Sequence, residues 1–180
     1  VFPVLEKLRE LWEKSPVVRK GKYRYVVHPI TDGIPYLEPD LLDDIVKSIM
    51  EIANLDVDYI VTPEAMGIPI GVLLSNKTKI PLNIIRKKKY SLDGELEAFQ
   101  KTGYLEGKMY INGLRAGDRI LLVDDIVSTG GTLSGIIKAL QEGGIIISDI
   151  VIVLERGEGR EYIRRITGRE VKTLLKVKDR

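Results

Sequence analysis

Residues 120–132 read Ile120-Leu121-Leu122-Val123-Asp124-Asp125-Ile126-Val127-Ser128-Thr129-Gly130-Gly131-Thr132. Four apolar residues in a row match a strand buried on both faces. Two adjacent carboxylates follow, then hydroxyls and glycines, then Leu133, Ile136, Ile137 and Leu140 at helical spacing. A buried strand therefore delivers two acids to its carboxyl end, where open α/β sheets bind ligands. The helix that begins at once offers free backbone N–H groups and a partial positive charge to an anion. Gly130 and Gly131 let the backbone approach closely, and Ser128, Thr129 and Thr132 add hydroxyl donors. The run is not a Walker A loop, since no Lys precedes the Ser/Thr, and Gly-Gly-Thr-Leu-Ser-Gly does not match the dinucleotide fingerprint. Carboxylates ahead of such a cup would repel a bare phosphate but suit the hydroxyls of an attached sugar. A sugar 5-phosphate satisfies both halves.

The flanking sequence extends the same architecture. Leu5, Leu8, Leu11 and Trp12 stand at helical spacing behind Pro3, which predicts a helix over residues 2–14. Tyr23–His28 reads as a strand and the stretch 29–39 as turns, and a helix beginning near Asp40 stacks Leu42, Ile45, Val46, Ile49 and Met50. Strands are expected at 59–62, 82–85, 119–123, 145–154 and 171–177. Helices are expected around 68–74, after Thr132 and near 161–167, the second ending at Gly143-Gly144. Residues 86–107 have too few apolar anchors for core, and 108–112 closes a hairpin with part of them. Apolar strands alternating with helices imply an α/β fold, one domain over residues 1–180, with a parallel sheet covered on both faces.

Composition bounds the chemistry. The chain has 180 residues, 44% of them hydrophobic and 30% charged, with a formal net charge of +2. Such balance argues against a nucleic-acid coat or a membrane-surface protein. There is no cysteine, which excludes disulfides, thiol catalysis and cysteine-based zinc sites. A single histidine, His28, excludes a multi-histidine metal site. Charged residues interrupt the N-terminal segment, and no run approaches the ~18 apolar residues of a membrane span. A cytoplasmic protein is expected.

Residues 120–132 strongly resemble the 5-phosphoribosyl 1-pyrophosphate (PRPP) motif of type I phosphoribosyltransferases: four hydrophobic residues, two acids and a Thr-Gly-Gly-Thr-like loop. The resemblance runs nearly end to end. It implies a parallel-sheet fold with an N-terminal hood (residues 1–40) and a flexible flap (residues 90–112). It also implies that Asp124 and Asp125 hold the ribose, and that Ser128, Thr129, Gly130, Gly131 and Thr132 hold the 5-phosphate. The loop Glu64, Ala65, Met66 and Gly67 would take the pyrophosphate through backbone N–H groups. Met66 stands where adenine-type members place an Arg, which weakens an adenine reading. The cations Arg86, Lys87 and Lys89, beside Lys88, would offset the pyrophosphate charge. Glu106, in Glu106-Gly107-Lys108, is similar to a flap glutamate that assists the base, and Tyr104 is a second flap candidate. Ile30 and Asp32 in the hood, with Glu155 and Arg156 after a core strand, would wall the base pocket; His28 is expected to be an ordinary hood residue.

The phrases His28-Pro29-Ile30-Thr31-Asp32-Gly33 and Glu155-Arg156-Gly157-Glu158-Gly159 resemble the hypoxanthine/guanine branch of that family, built on an adenine-type scaffold. The implied reaction joins PRPP to hypoxanthine or guanine, with magnesium held mainly by the substrate and no protein nucleophile. A homodimer is implied by the family, and no nucleic-acid or membrane partner is expected. Two alternatives remain open: adenine as the base, and a PRPP-sensing transcriptional regulator. The lone N-terminal helix speaks against the second, and the basic run at Arg86–Lys89 is what favours it.

Overall fold

A computed structural model of the chain describes residues 2–101 and 106–180. Helix α1 (Phe2–Lys14) leads into a two-stranded antiparallel hairpin, β1 (Val17–Lys20) and β2 (Tyr23–Val26), and the single turn of α2 (Pro29–Asp32). Helix α3 (Pro39–Ile52), β3 (Tyr59–Pro63), α4 (Gly67–Thr78) and β4 (Leu82–Ile85) follow. A second hairpin, β5 (Leu96–Lys101) and β6 (Glu106–Ile111), precedes β7 (Arg119–Val127) and α5 (Gly131–Glu142). The chain continues through β8 (Ile146–Arg156), α6 (Gly159–Thr167) and β9 (Lys172–Val177).

The central sheet is parallel and five-stranded, in the order β4-β3-β7-β8-β9. Side chains alternate across it, as the two-residue period of a strand requires. Leu121 and Val123 of β7 join Val151 and Val153 of β8 on the face covered by α1, α3 and α4. Ile120 and Leu122 join Ile150 and Ile152 on the other face, beneath Ile136, Ile137 and Leu140 of α5 and Ile163 of α6. Both faces are dry, which accounts for the continuous apolar runs in the sequence.

Two departures from the sequence reading have physical reasons. Strand β1 is half-buried at Val17 and exposed at Val18, Arg19 and Lys20, so it carries no apolar pattern to read. Residues 86–107, expected to lie outside the core, contribute Ala98 to it, beside Met109 and Ile111 from the second strand of the hairpin; each is only 1% exposed and packs on the α5 side. Glycine makes that packing possible. A Cβ on Gly131 would lie 2.1 Å from the Lys101 carbonyl oxygen, and one on Gly135 only 1.9 Å from that of Phe99. The β5 backbone rests directly on α5.

The C-terminal residues strap back onto α1. Trp12 Nε1 donates to the Lys178 carbonyl at 2.9 Å, and the Arg180 guanidinium donates to the carbonyls of Trp12 and Ser15.

Candidate active site

The carboxyl ends of β3, β7 and β8 converge on one edge of the sheet. Strand β7 runs to Val127, so Asp124 and Asp125 lie inside a hydrogen-bonded strand rather than beyond it. Asp124 accepts a bond from the Asp125 backbone N–H at 2.9 Å and looks into a cavity; Asp125 is 9% exposed. Burial pushes the Asp124 carboxyl up to about 6. Burial also raises Asp125, and the neighbouring Asp124 charge raises it further. Among the described residues neither side chain has a salt-bridge partner. A buried acidic pair without a cation is costly, and it suits a ligand that brings hydroxyls or positive charge.

Three residues after β7 the chain turns through Gly130, whose φ of 82° lies in the left-handed region. Gly130 is also jammed against α6: a Cβ there would sit 2.7 Å from the Gly159 carbonyl oxygen. Helix α5 then begins with no side chain capping it. Thr132 Oγ1 is buried there without a hydrogen-bond partner. Helix α4 likewise starts uncapped after Met66. A Cβ on its first residue, Gly67, would fall 2.9 Å from Asp124 Oδ1, so this second helix start abuts the acid. Two uncapped helix N-termini beside one acidic pair can hold a molecule with anionic ends and a hydroxylated or cationic middle.

A cavity of about 160 Å³ opens on Asp124, Ser128, Thr129, Gly130 and Thr132, walled by Trp12, Tyr23, Tyr25, Thr31 and Arg156. A wider cleft of about 440 Å³ adjoins it, sharing Tyr23, Ser128, Thr129 and Arg156 and reaching Glu158, Tyr162, Arg165 and Asp179. The Arg156 guanidinium is held between them: Nε donates to Asp179 Oδ1 at 2.7 Å and Nη1 to the Arg24 carbonyl at 3.3 Å.

Other residues singled out from the sequence are engaged elsewhere. Ile30 is 1% exposed and belongs to the core; its neighbour Thr31 lines the cavity instead. Asp32 knots its own segment, accepting from Tyr25 Oη (2.5 Å), Thr31 Oγ1 (2.6 Å) and the His28 N–H (3.0 Å). Glu155 is buried and binds Arg160, Thr173 and Lys176 on the α6 side. Glu64 accepts from the Lys87 backbone N–H (2.5 Å) and Arg86 Nε (3.3 Å), contacts that hold its carboxyl below the usual range. The Glu64–Ala65 peptide bond is cis. Lys89 pairs with Glu97 at 3.2 Å, and Lys88 lies over the Tyr90 ring. Much of the charge in the basic run is thus already engaged within the chain. Glu106 is exposed and pairs with Lys101 at 3.2 Å, at the end of the hairpin beside Gly131. Tyr104 lies outside the described residues.

Sequence reasoning missed Trp12, Tyr23 and Tyr25 as cavity walls. Aromatics on a helix or a short strand read as core; the available signal was that Tyr23 and Tyr25, two apart, share one face of β2.

Comparison with known proteins agrees with this geometry. Over 174 residues the chain is 53% identical to a protein of Methanosalsum zhilinae named hypoxanthine/guanine phosphoribosyltransferase, covering 97% of this chain and 91% of the relative. It is 52% identical over 172 residues to one of the same name from Methanocaldococcus infernus, covering 95% and 94%. The solved adenine phosphoribosyltransferase of Rhodothermus marinus superposes with a TM-score of 0.77 over 98% of this chain and 99% of that one, at 21% identity, a likeness of fold. The model of the phosphoribosyl transferase domain matches residues 38–172, a span that holds the acid pair, both uncapped helix starts and four of the five strands of the central sheet, and the chain belongs to that family.

Proposed function

We propose that the chain transfers the 5-phosphoribosyl group of PRPP to hypoxanthine or guanine, giving IMP or GMP and pyrophosphate. One observation carries the reading: a single strand-to-helix connection sets the buried Asp124–Asp125 pair beside an uncapped helix start with an orphaned Thr132 hydroxyl. The 5-phosphate lies in the cup of Ser128–Thr132, where Thr132 Oγ1 gains the partner it lacks. Asp124 and Asp125 accept from the ribose hydroxyls. The pyrophosphate faces the start of α4 at Ala65, Met66 and Gly67, with Lys87 tied to the same loop through its backbone N–H on Glu64. As the anomeric C–O bond breaks, positive charge grows on the sugar ring and the buried carboxylates stabilise it. The base nitrogen attacks from the opposite face, held between the β1–β2 hood and the walls at Thr31 and Arg156.

On this reading magnesium is held mainly by the substrate. Among the described residues no group of three or more His, Asp or Glu side chains could cage a metal. Asp124 and Asp125 supply hard oxygen donors of the kind the ion prefers, so these two would face it. When bound, magnesium neutralises charge on the departing pyrophosphate. On this reading the hairpin β5–β6, packed on α5, forms the flap side of the site, with Glu106 at its edge. The enzyme works as a cytoplasmic homodimer; among the described residues no helix is long and apolar enough to cross a membrane.

The test is pyrophosphate release from PRPP and magnesium with hypoxanthine, guanine, adenine, xanthine and uracil taken separately. Release with hypoxanthine or guanine supports the proposal. Release with adenine alone moves the specificity, and silence with every base overturns the catalytic reading.

A further inference from the structure

Tyr23 stands where the N-terminal hairpin meets the cup. It lines both cavities, and its hydroxyl lies 3.4 Å from Ser128 Oγ. The Arg156 guanidinium sits 5.6 Å from the centre of its ring and 6.0 Å from that of Trp12. Arg156 is in turn fixed by Asp179 and by the Arg24 carbonyl, next to Tyr23 in sequence. The ring is thus braced from the core, while its hydroxyl points at the loop that would receive a phosphate.

A hydroxyl has one hydrogen to donate and two lone pairs to accept. At 3.4 Å the Tyr23–Ser128 contact is long for an O–H···O bond, whose usual length is about 2.7–2.8 Å. An anion in the cup would take the Ser128 hydrogen in a charge-assisted bond. The serine oxygen, polarised by that bond, becomes a better acceptor, and the Tyr23 hydroxyl is placed to donate to it. The shortening draws the Tyr23 ring, a wall shared by both cavities, toward the loaded cup.

We infer that Tyr23 is a positioning residue that couples occupation of the cup to purine binding, through its hydroxyl and Ser128. The inference rests on the proposed function, in which a sugar phosphate fills the cup. Coupling between two ligands is reciprocal, so it is measurable from either side.

The experiment titrates the full chain with hypoxanthine by calorimetry, with and without saturating ribose 5-phosphate, in wild type and in Tyr23→Phe. This variant keeps the braced ring and removes the hydroxyl alone. Trp12 is the only tryptophan of the chain and borders the same cavity, so its emission reports the movement of this wall. In wild type, ribose 5-phosphate is expected to change Trp12 emission and to tighten hypoxanthine about tenfold, the scale of one good hydrogen bond. In Tyr23→Phe the tightening falls to within about twofold and KM for the base rises, while affinity for ribose 5-phosphate falls far less. A merely structural role would weaken both ligands together. Undiminished coupling in Tyr23→Phe overturns the inference and leaves the catalytic reading standing. Failure of wild type to bind ribose 5-phosphate at all overturns both. As a second variant, Asp179→Ala removes the acceptor of Arg156 Nε without touching the cup; it is expected to reduce the coupling in part, and full coupling in this variant would overturn the role of the Arg156 brace.

Discussion

Acid should loosen this fold through His28, and the loss can be calculated. The imidazole is fully buried beside Trp12, with ring centroids 5.8 Å apart. Its Nδ1 accepts from the Ile30 N–H at 3.1 Å and so caps α2, which leaves the proton on Nε2, facing the Leu8 carbonyl without a well-formed hydrogen bond. Burial lowers its pKa from 6.5 to about 4, opposed in part by the Leu8 carbonyl and Asp32. Charging the ring would also aim a proton at the Ile30 donor. Above pH 6.5 the group is neutral in both folded and unfolded chains and contributes nothing to the pH dependence. Between 6.5 and 4 the unfolded chain takes up a proton that the folded chain refuses, so stability falls as pH falls. At pH 5 the loss is roughly 2 kcal/mol, rising to roughly 3 kcal/mol below pH 4. His28→Asn keeps a capping oxygen and removes the titration. Its packing cost at pH 7 cancels when each protein is compared with itself at pH 5, and the Asp124–Asp125 pair titrates in both. Urea unfolding at pH 7 and pH 5 measures the difference. Circular dichroism is the right signal, because Trp12 emission would respond to the imidazole itself. The variant should lose about 2 kcal/mol less than wild type between the two pH values. Equal losses would refute the account of His28 as a ring held neutral by burial.

Three further outcomes follow from the site and its supports. Burial holds the Asp124–Asp125 pair above the usual carboxylate range, so kcat/KM for PRPP should fall on the acid side as the pair takes up a proton; Asp124→Asn should lower turnover about 100-fold at pH 7.5 and move that acidic limb to lower pH, because Asp125 loses the neighbouring charge that raises it, while the far-ultraviolet spectrum is kept. Thr132→Val removes a buried hydroxyl that has no partner, so the unliganded protein should lose no stability in thermal melts, while its affinity for ribose 5-phosphate weakens about tenfold. Gly135→Ala would set a Cβ 1.9 Å from the Phe99 carbonyl oxygen; the hairpin must retreat, at a cost of about 1–3 kcal/mol, seen as a fall in Tm of roughly 2–10 °C.

Apolar period and length made the central sheet legible: each of β3, β4, β7, β8 and β9 overlaps a stretch marked by its apolar residues. Where polar residues carry the structure, periodicity is silent. Strand β1 pairs Arg19 with Arg24 and Lys20 with Tyr23, which no hydrophobic pattern announces. Hairpin β5–β6 holds its place through three buried side chains and two glycines on α5, contacts that exist only once the chain is folded. The acids and the cup share one cavity because thirteen consecutive residues bring them together, and local sequence suffices for that. Asp32 and Glu64 show the limit. Each carboxylate is satisfied by nearby donors in three dimensions, and residue type alone cannot say whether an acid faces a ligand or a neighbour.

The placement of Asp124 and Asp125 inside β7, rather than on a loop, has a consequence for how the site works. A loop could relax to hydrate an acid pair, whereas a central strand bonded to β8 on one side cannot do so without breaking the ladder. The pair is therefore held at an electrostatic cost in the free protein, a cost that the dry layers above and below β7 are extensive enough to sustain. Gly67 serves the same end, since its bare Cα lets the start of α4 crowd Asp124 closely enough to leave that acid little water. A sugar ring that becomes cationic as its bond breaks would meet carboxylates already oriented and poorly hydrated, so little reorganisation is left for the reaction step.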